Sequence, residues 1–524
     1  MTGEVTPVRG TRMSGRDGFA QVLRSEWVKF RTVRGWVIGL VLAAVLSAGV
    51  ILVLASAGGP GSPGSLGSVA TGPGGIAVND NFYFVHRSLT GNGSITVRVT
   101  SLTDGAFPGQ QEGYIAPQPW AKAGILVQDG IQAGSAYAAV MATPGHGVRM
   151  QYDFTQDIAG LPGAVSASSP RWLRLARSGD TITGYDSADG SHWTMIGSAT
   201  LTGLPSSVQA GLFVASPQAY GSSMGGGYQS TRASAGFDDL SIQGGWSPGT
   251  WSQCEVGASE LGLGHGCAPA SSKGPRGAPA PGSETESGGT FTVSGTGDIS
   301  PYAPIPDIVG GVFKGTLAGL VALIALGGVF IGSEYRRGMI RTTFAGTPRR
   351  GRVIWAKAIV IGVVAFAAGL AGAAVAVVTA GPRLRSEGWT PPVYPPLSLG
   401  SATGLRIAAG TAVVLALAAI FALAAGVVLR RGVGAITVGI ALFVGPLLVA
   451  TAVGQTAGAL LLGVTPAAAF AVQQGVQRYP QASGVCLAGH GCYPLSPSGG
   501  VAVLAAWTVA ALAVAWFVVN RRDA

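Results

Sequence analysis

The sequence predicts an α-helical polytopic membrane protein with six transmembrane helices and an all-β antiparallel sandwich or jelly-roll domain inserted between helices 1 and 2. Three observations predict it. Six apolar segments are each long enough to cross a bilayer, the charge is unevenly divided along the chain, and residues 76–245 have the period of strands rather than helices.

The spans come first. Crossing a bilayer as a helix takes roughly 20 residues, and 36–57, 308–332, 353–380, 405–429, 433–453 and 500–519 satisfy that. Only 11% of the 524 residues are charged and 48% are apolar, far from the composition of a soluble domain. The first span follows polar, basic sequence, and its length and flanks fit an anchor rather than a cleaved signal. Residues 1–16 read as a disordered cytosolic arm. In 17–34, Phe19, Val22, Leu23, Trp27, Phe30 and Val33 recur at helical spacing, with Arg24, Lys29, Arg31 and Arg34 on other faces. This is a basic amphipathic helix for the inner membrane surface, to which Glu26, Trp27, Lys29, Phe30 and Arg31 contribute. It runs into the first span, so that 17–57 form one unit.

Charge sets the expected orientation. Residues 58–307 carry 10 basic and 17 acidic side chains, whereas the rest of the chain carries 23 and 6, for a net charge of +10 overall. Basic residues cluster before Trp36, between Ser333 and Arg352, at Arg430-Arg431 and at Arg521-Arg522. Six crossings put all four clusters on one side, which is the positive-inside pattern; a long acidic loop is exempt from it. The expected localisation is the plasma membrane, multi-pass, with both termini cytoplasmic and 58–307 extracytoplasmic. The bilayer accounts for the basic clusters, so no nucleic-acid partner is expected. All four cysteines fall on the outer side, where an even count predicts two local disulfides, Cys254–Cys267 and Cys486–Cys492. No metal site is assigned, because neither pair has ligand spacing with suitable partners.

Between the first two spans, 58–75 is a Gly/Pro/Ser-rich flexible linker, and 246–307 is read as a second linker holding one disulfide. The sandwich itself is predicted from short β-rich runs at 94–99, 122–127, 137–142, 148–152, 172–177, 181–186, 192–196, 208–215 and 235–242, separated by turn residues. Residues 308–524 hold spans two to six, with 333–352 as the cytosolic segment between spans two and three. After the fifth span, 455–480 reads either as a re-entrant return or as an ordinary loop helix; irregular backbone at membrane depth must be shielded or line a cavity.

Chemistry is sparse. None of the six segments contains Asp or Glu, which argues against ion-driven transport, and Lys314, Lys357 and Arg406 lie close enough to span ends to snorkel. No G-x-x-x-x-G-K-[ST] occurs, so the chain has no P-loop of its own. Energy for transport would have to enter from another polypeptide, and 333–352 is the evident place. It offers Glu334, Tyr335, Arg336, Arg337, Gly338, Arg341, Thr342 and Thr343, with a helix stop at Pro348. The segment reads as a small docking helix presenting both charge signs to a soluble partner. A loop that only fixes topology would need neither Glu334 nor Gly338.

Two blocks, LRSEWVKFRTVRGW at 23–36 and GSEYRRGMIRTTFAGTPRR from Gly332 with Lys357 beyond it, resemble the permeases of type-2 ABC transporters of the actinobacterial type. That resemblance covers about half the chain. It implies the membrane subunit of an exporter, a separate ABC-type ATPase subunit docked on the coupling segment, and a second permease subunit, identical or not. ATP and Mg would belong to the ATPase, and no cofactor is expected in this chain. The large domain after the first span departs from the family pattern.

Residues 119–216 resemble the concanavalin A-like jelly rolls of bacterial surface proteins, which implies a glycan-binding surface, with cell-wall glycan as the partner. Candidate contacts are Tyr114, Trp120, Tyr152 and Tyr220, although Trp120, Trp172 and Trp193 read first as core. SADGSHW resembles an Asp-box one residue short, in which Ser187 and Asp189 fix a hairpin above Trp193. Asp153 with Asp157, and Asp238 with Asp239, cannot be placed across a cleft, so no catalytic residue is assigned and the chain is not read as an enzyme. The alternative is a membrane-anchored sensor or surface-binding protein that displays the sandwich; a display anchor would need one span and no coupling segment.

Overall fold

A computed structural model describes residues 18–56, 69–107, 118–220, 228–257, 267–269, 280–302, 307, 309–310, 313–340, 342, 349–386, 388–453, 455–482 and 492–521. The 1–16 arm, Tyr114, Arg341, Thr343, Pro348, Cys486 and the side chain of Tyr220 lie outside these residues.

The helical part comprises α1 (Phe19–Thr32), α2 (Arg34–Ser56), α3 (Thr316–Arg336), α4 (Arg350–Ser386), α5 (Ala402–Leu429), α6 (Gly432–Phe443), α7 (Gly445–Ala450), α8 (Gln455–Val464) and α9 (Pro497–Arg521). Among the described residues, five helical segments are long and apolar enough to cross a membrane: α3, α4, α5, α6 with α7, and α9. Two bent pairs pass the same test jointly and raise the number to as many as seven. One is α1 with the first part of α2, bent by 77°; the other is α8 with the 3-10 helix Pro466–Gln473, bent by 95°. The expected six falls inside that range without being singled out. The architecture is compatible with a multi-pass membrane protein.

The outward faces carry stripes a soluble bundle would not expose. On α4, Trp355, Ile359, Val363, Phe366 and Leu370 follow one another at helical spacing and are each more than a third exposed. The inward faces of α3, α4 and α5 pack Leu320, Ile324, Ile361, Ala365, Leu415 and Ala419 into one apolar core. Small residues allow the close approach: a Cβ on Gly327 would stand 2.3 Å from the carbonyl oxygen of Ala419.

Strands occupy the chain between α2 and α3. One antiparallel sheet runs from Thr194–Thr200 through Thr181–Ser187 and Arg171–Ser178 to the long strand Phe82–Ala106. It continues through Ser207–Ala215, Lys122–Gln128, Tyr137–Thr143 and Gly147–Tyr152 to Gln156–Ala159. Phe82–Ala106 has 25 residues and bends between layers, pairing also with Thr231–Trp246 and Ser252–Val256. The result is a sandwich close to a barrel, with Val97, Ile125, Val140, Leu173 and Leu212 in its core. Alternation places them: along Arg171–Ser178, Leu173 and Leu175 are buried while Arg174 between them is not.

Two sequence expectations are corrected here. The 246–307 stretch is not a linker throughout, because Ser252–Val256, Ser283–Ser287, Thr290–Gly295 and Ile299–Pro301 are strands. Phe291 and Val293, on one face of Thr290–Gly295, are buried in the sandwich core, which outweighs the Gly/Ser content around them. The 58–75 linker likewise ends in order, with Ala70–Thr71 paired to Ala77–Val78. Ala77–Asp80 then pairs with Ile299–Pro301, so the strand entering the domain lies beside the strand leaving it. Cys254 and Cys267 form the expected disulfide, with Cα atoms 5.4 Å apart, and Cys492 is also disulfide-bonded.

Candidate functional site

At the end of the helices remote from the sandwich, four charged side chains come together. Glu26 and Phe30, one turn apart, are the buried residues of α1. Phe30 meets the ring of Phe330 on α3 edge-on at 5.8 Å, and Trp36 at the start of α2 meets the same ring at 5.4 Å. This contact seats α1 on the bundle and brings Glu26 to Lys357, two turns into α4. Lys357 Nζ donates to Glu26 Oε2 at 2.5 Å and to Glu334 Oε1 at 2.6 Å. Lys29 Nζ donates to Glu26 Oε1 at 2.7 Å and stands 3.6 Å from Glu334 Oε1.

Two carboxylates and two ammonium groups therefore alternate around a closed ring. Lys357 is 0% exposed, Glu26 1% and Glu334 6%, and the Phe330 ring covers Lys357 Nζ at 4.7 Å. Desolvating such charges is costly unless each meets a partner, and charge-assisted bonds this short supply that. Glu334 Oε2 has no hydrogen-bond partner among the described residues. The ring ties the surface helix α1 to α3 and α4, so α1 cannot shift without dragging buried charge.

This corrects the expected role of Glu334. It sits in the last turn of α3 and points into the bundle, because the helix continues past the apolar run to Arg336. It is therefore not offered to a partner. Arg336, Arg337, Gly338 and Thr342 are exposed, and Tyr335 is half-buried. Gly338 holds φ +67°, a left-handed conformation costly for residues with a Cβ, and it turns the chain as α3 ends. Lys357, expected to snorkel, is locked in the ring instead. On α1, Trp27, Lys29 and Arg31 are exposed, whereas Glu26 is not.

At the opposite end, the return Pro466–Gln473 is buried throughout. Gln473 Nε2 donates to Thr316 Oγ1 at 3.0 Å and Thr411 Oγ1 at 3.3 Å, which fastens the return to α3 and α5. Asp307, just ahead of α3, accepts from the backbone N–H of Gly475 at 2.6 Å. Gln481 Nε2 donates to the carbonyls of Phe154 at 3.2 Å and Thr155 at 2.9 Å, so a sandwich turn rests on the loop before α9. Between sandwich and helix ends lies a cavity of about 1190 Å³.

The other predicted site residues scatter. Trp120 lines that cavity and stacks on His146 at 3.9 Å, while Tyr152 packs against the sandwich core. Trp172 and Trp193 are not core but half-buried at the surface beneath Arg98 and Arg174; on its strand Trp172 alternates with buried Leu173, and Trp193 lies in the turn before Thr194–Thr200. Asp157 is ion-paired with Arg149, and Asp238 with Arg98. The SADGSHW turn forms as read: Asp189 Oδ1 accepts from the N–H groups of Ser191 and His192, both at 2.8 Å, and Trp193 Nε1 donates to Gly190 O at 3.1 Å. Those bonds hold the Asp189 carboxyl well below the usual range. His86 lies 3.7 Å from Cys254 Sγ, a neighbour the spacing of the cysteines had not indicated, but both thiols of that group are in the disulfide.

No family model matches the chain, and no curated protein does. Among solved structures, scytalido-glutamic peptidase with a transition state analog inhibitor is similar at 10% identity, covering 43% of this chain and all of that one, with a TM-score of 0.26. A functionally unknown protein from Saccharomyces cerevisiae follows at 15% identity, covering 32% and 76%, with a TM-score of 0.18. Peanut lectin with a 9mer peptide matches at 9% identity, covering 45% and 77%, with a TM-score of 0.13. At these scores none of them assigns an activity to the chain.

Proposed function

We propose that the chain is the permease subunit of an ABC exporter, driven by a separate ATPase and paired with a second permease subunit across the transport path. In this reading the termini and the 333–352 segment face the cytoplasm, and the sandwich stands outside. The observation that carries the proposal is the ring of Glu26, Lys29, Glu334 and Lys357, buried at all but Lys29, with exposed Arg336 and Arg337 immediately beyond it. A partner that binds the exposed arginines pulls on α3, and the ring passes that displacement to α1 and α4 together. A display anchor has no use for such a linkage. The buried return Pro466–Gln473 is then the segment beside the transport path, and the sandwich caps the outer mouth.

Affinity purification from the native membrane tests this. An ATPase subunit should copurify, and Arg336→Glu with Arg337→Glu should remove it or abolish ATP-dependent transport while the chain still inserts. Recovery of no ATPase, with cell-wall material bound instead, would support the display reading.

A further inference from the structure

The cavity between the sandwich and the outer helix ends has a composition that neither the fold nor the ion ring uses. Its volume, about 1190 Å³, suits a ligand of several rings. Among the described residues lining it there is no Asp or Glu, although residues 58–307 carry 17 acids against 10 bases. Two cations do line it, Arg406 and Arg478. Arg406 is pinned by donating to the carbonyls of Val472 at 3.1 Å and Gln474 at 2.6 Å. Arg478 is exposed and donates to Tyr493 O at 3.1 Å. A guanidinium has five N–H donors in a planar fork suited to carboxylate and phosphate, so bonds of this number leave each able to meet an anion.

The rest of the wall selects among anions. Half-buried Tyr479 supplies a ring face, and the exposed Gln218 and Gln477 supply amides that both donate and accept. An acyl chain would leave those amides desolvated and unpaired. A sugar uses both kinds of group, laying its C–H face on an aromatic ring and pairing its hydroxyls with amides. We infer that this cavity binds an acidic saccharide, with its carboxylate or phosphate between Arg406 and Arg478. Two sources share that chemistry: an acidic envelope polymer reaching in from outside, and a transported molecule on its way out. The inference stands on the cavity and holds whether or not an ATPase drives the chain.

The test uses the full chain in lipid nanodiscs, with trigalacturonic acid as the probe and neutral maltotriose as the control. The acidic trimer should bind, the neutral one should bind at least about tenfold more weakly, and Arg478→Gln should weaken the acidic trimer by about tenfold, as expected for loss of a charged hydrogen bond. Thr403→Glu, one turn before Arg406 on α5, adds a carboxylate to the wall that competes with an anion for that guanidinium, and should abolish acidic binding while sparing stability. Equal binding of both trimers, no binding of the acidic trimer at millimolar concentration, or unchanged affinity in both variants would overturn the inference. In sealed vesicles, binding only from the sandwich side marks an envelope polymer; ATP-dependent release to that side marks a transported molecule. Either result supports the site.

Discussion

Among the described residues two lysines are fully buried, one in each part, and they are solvated by protein in different ways. Lys357 in the helices meets two carboxylates, Glu26 and Glu334, and shares them with Lys29. Lys122 in the sandwich meets one, Asp298, and donates also to the carbonyl of Ile299 at 2.6 Å. Each sits where separate pieces of chain must stay together. Lys357 joins α1, α3 and α4, whereas Lys122 joins the middle of the sandwich to the strand that leaves it for α3. The difference is one of surplus charge. Removing Lys122 strands a single carboxylate, while removing Lys357 strands two that share only the half-exposed Lys29.

Lys357→Met should therefore have the largest effect. Breaking a buried pair on one side costs about 3–5 kcal/mol, and here two acids lose their common cation. We expect α1 to detach from the bundle, read as faster cleavage by protease within 17–34 and a lower melting temperature in detergent. Glu26→Gln combined with Glu334→Gln in the same background should restore much of the loss. An unaffected single variant would mean that the ring does not hold α1.

Lys122→Met should destabilise the sandwich by about 3–5 kcal/mol and leave the helices intact, a contrast that hydrogen exchange resolves segment by segment. Protection should fall in Lys122–Gln128 and Ile299–Pro301 but not in α4 or α5. Adding Asp298→Leu should recover stability, since a buried pair replaced by apolar groups is often neutral. Equal loss of protection in α4 would show that sandwich and helices unfold as one unit.

These two clusters also mark where the sequence could and could not be read. The nine strand runs, the apolar helices, the SADGSHW turn and the Cys254–Cys267 bond rest on local signals, namely alternation, length, turn chemistry and compartment, and all lie close to where they were expected. The ion ring does not, because Glu26, Glu334 and Lys357 belong to three helices whose packing no local pattern encodes. One hint was present: Glu26 falls on the apolar face of α1, between Leu23 and Phe30, where a lone carboxylate implies a partner. Lys122–Asp298 is 176 residues apart in sequence and gave no such hint. The strands at 283–295 were hidden by Gly/Ser content, although Thr290–Gly295 alternates polar and apolar residues. The outer cavity is assembled from distant loops and was illegible.

The smallest effect sharpens the comparison from within the sandwich. Asp80 lies in the same domain as Asp298 and is 4% exposed, but has no cationic partner among the described residues. Its carboxylate accepts from the Gly134 N–H at 2.7 Å, and burial outweighs that bond, pushing the carboxyl up to about 7. Between the ordinary carboxyl range near ~4 and that value, the folded chain keeps a proton that the unfolded chain has lost. Stability contributed by Asp80 is thus complete at low pH and declines as pH rises through about 7, by at most ~1.4 kcal/mol per unit. Glu255 is raised to about 7 by burial as well, so the domain carries at least one further proton of this kind. Asp80→Asn keeps the Gly134 bond and cannot ionise. Its stability relative to the parent should therefore rise from pH 5 to pH 8, read as the difference in amide exchange along Tyr137–Thr143. A difference that stays constant over that range would mean that Asp80 is already charged when folded, and that Lys122 reaches farther into the sandwich than its one ion pair.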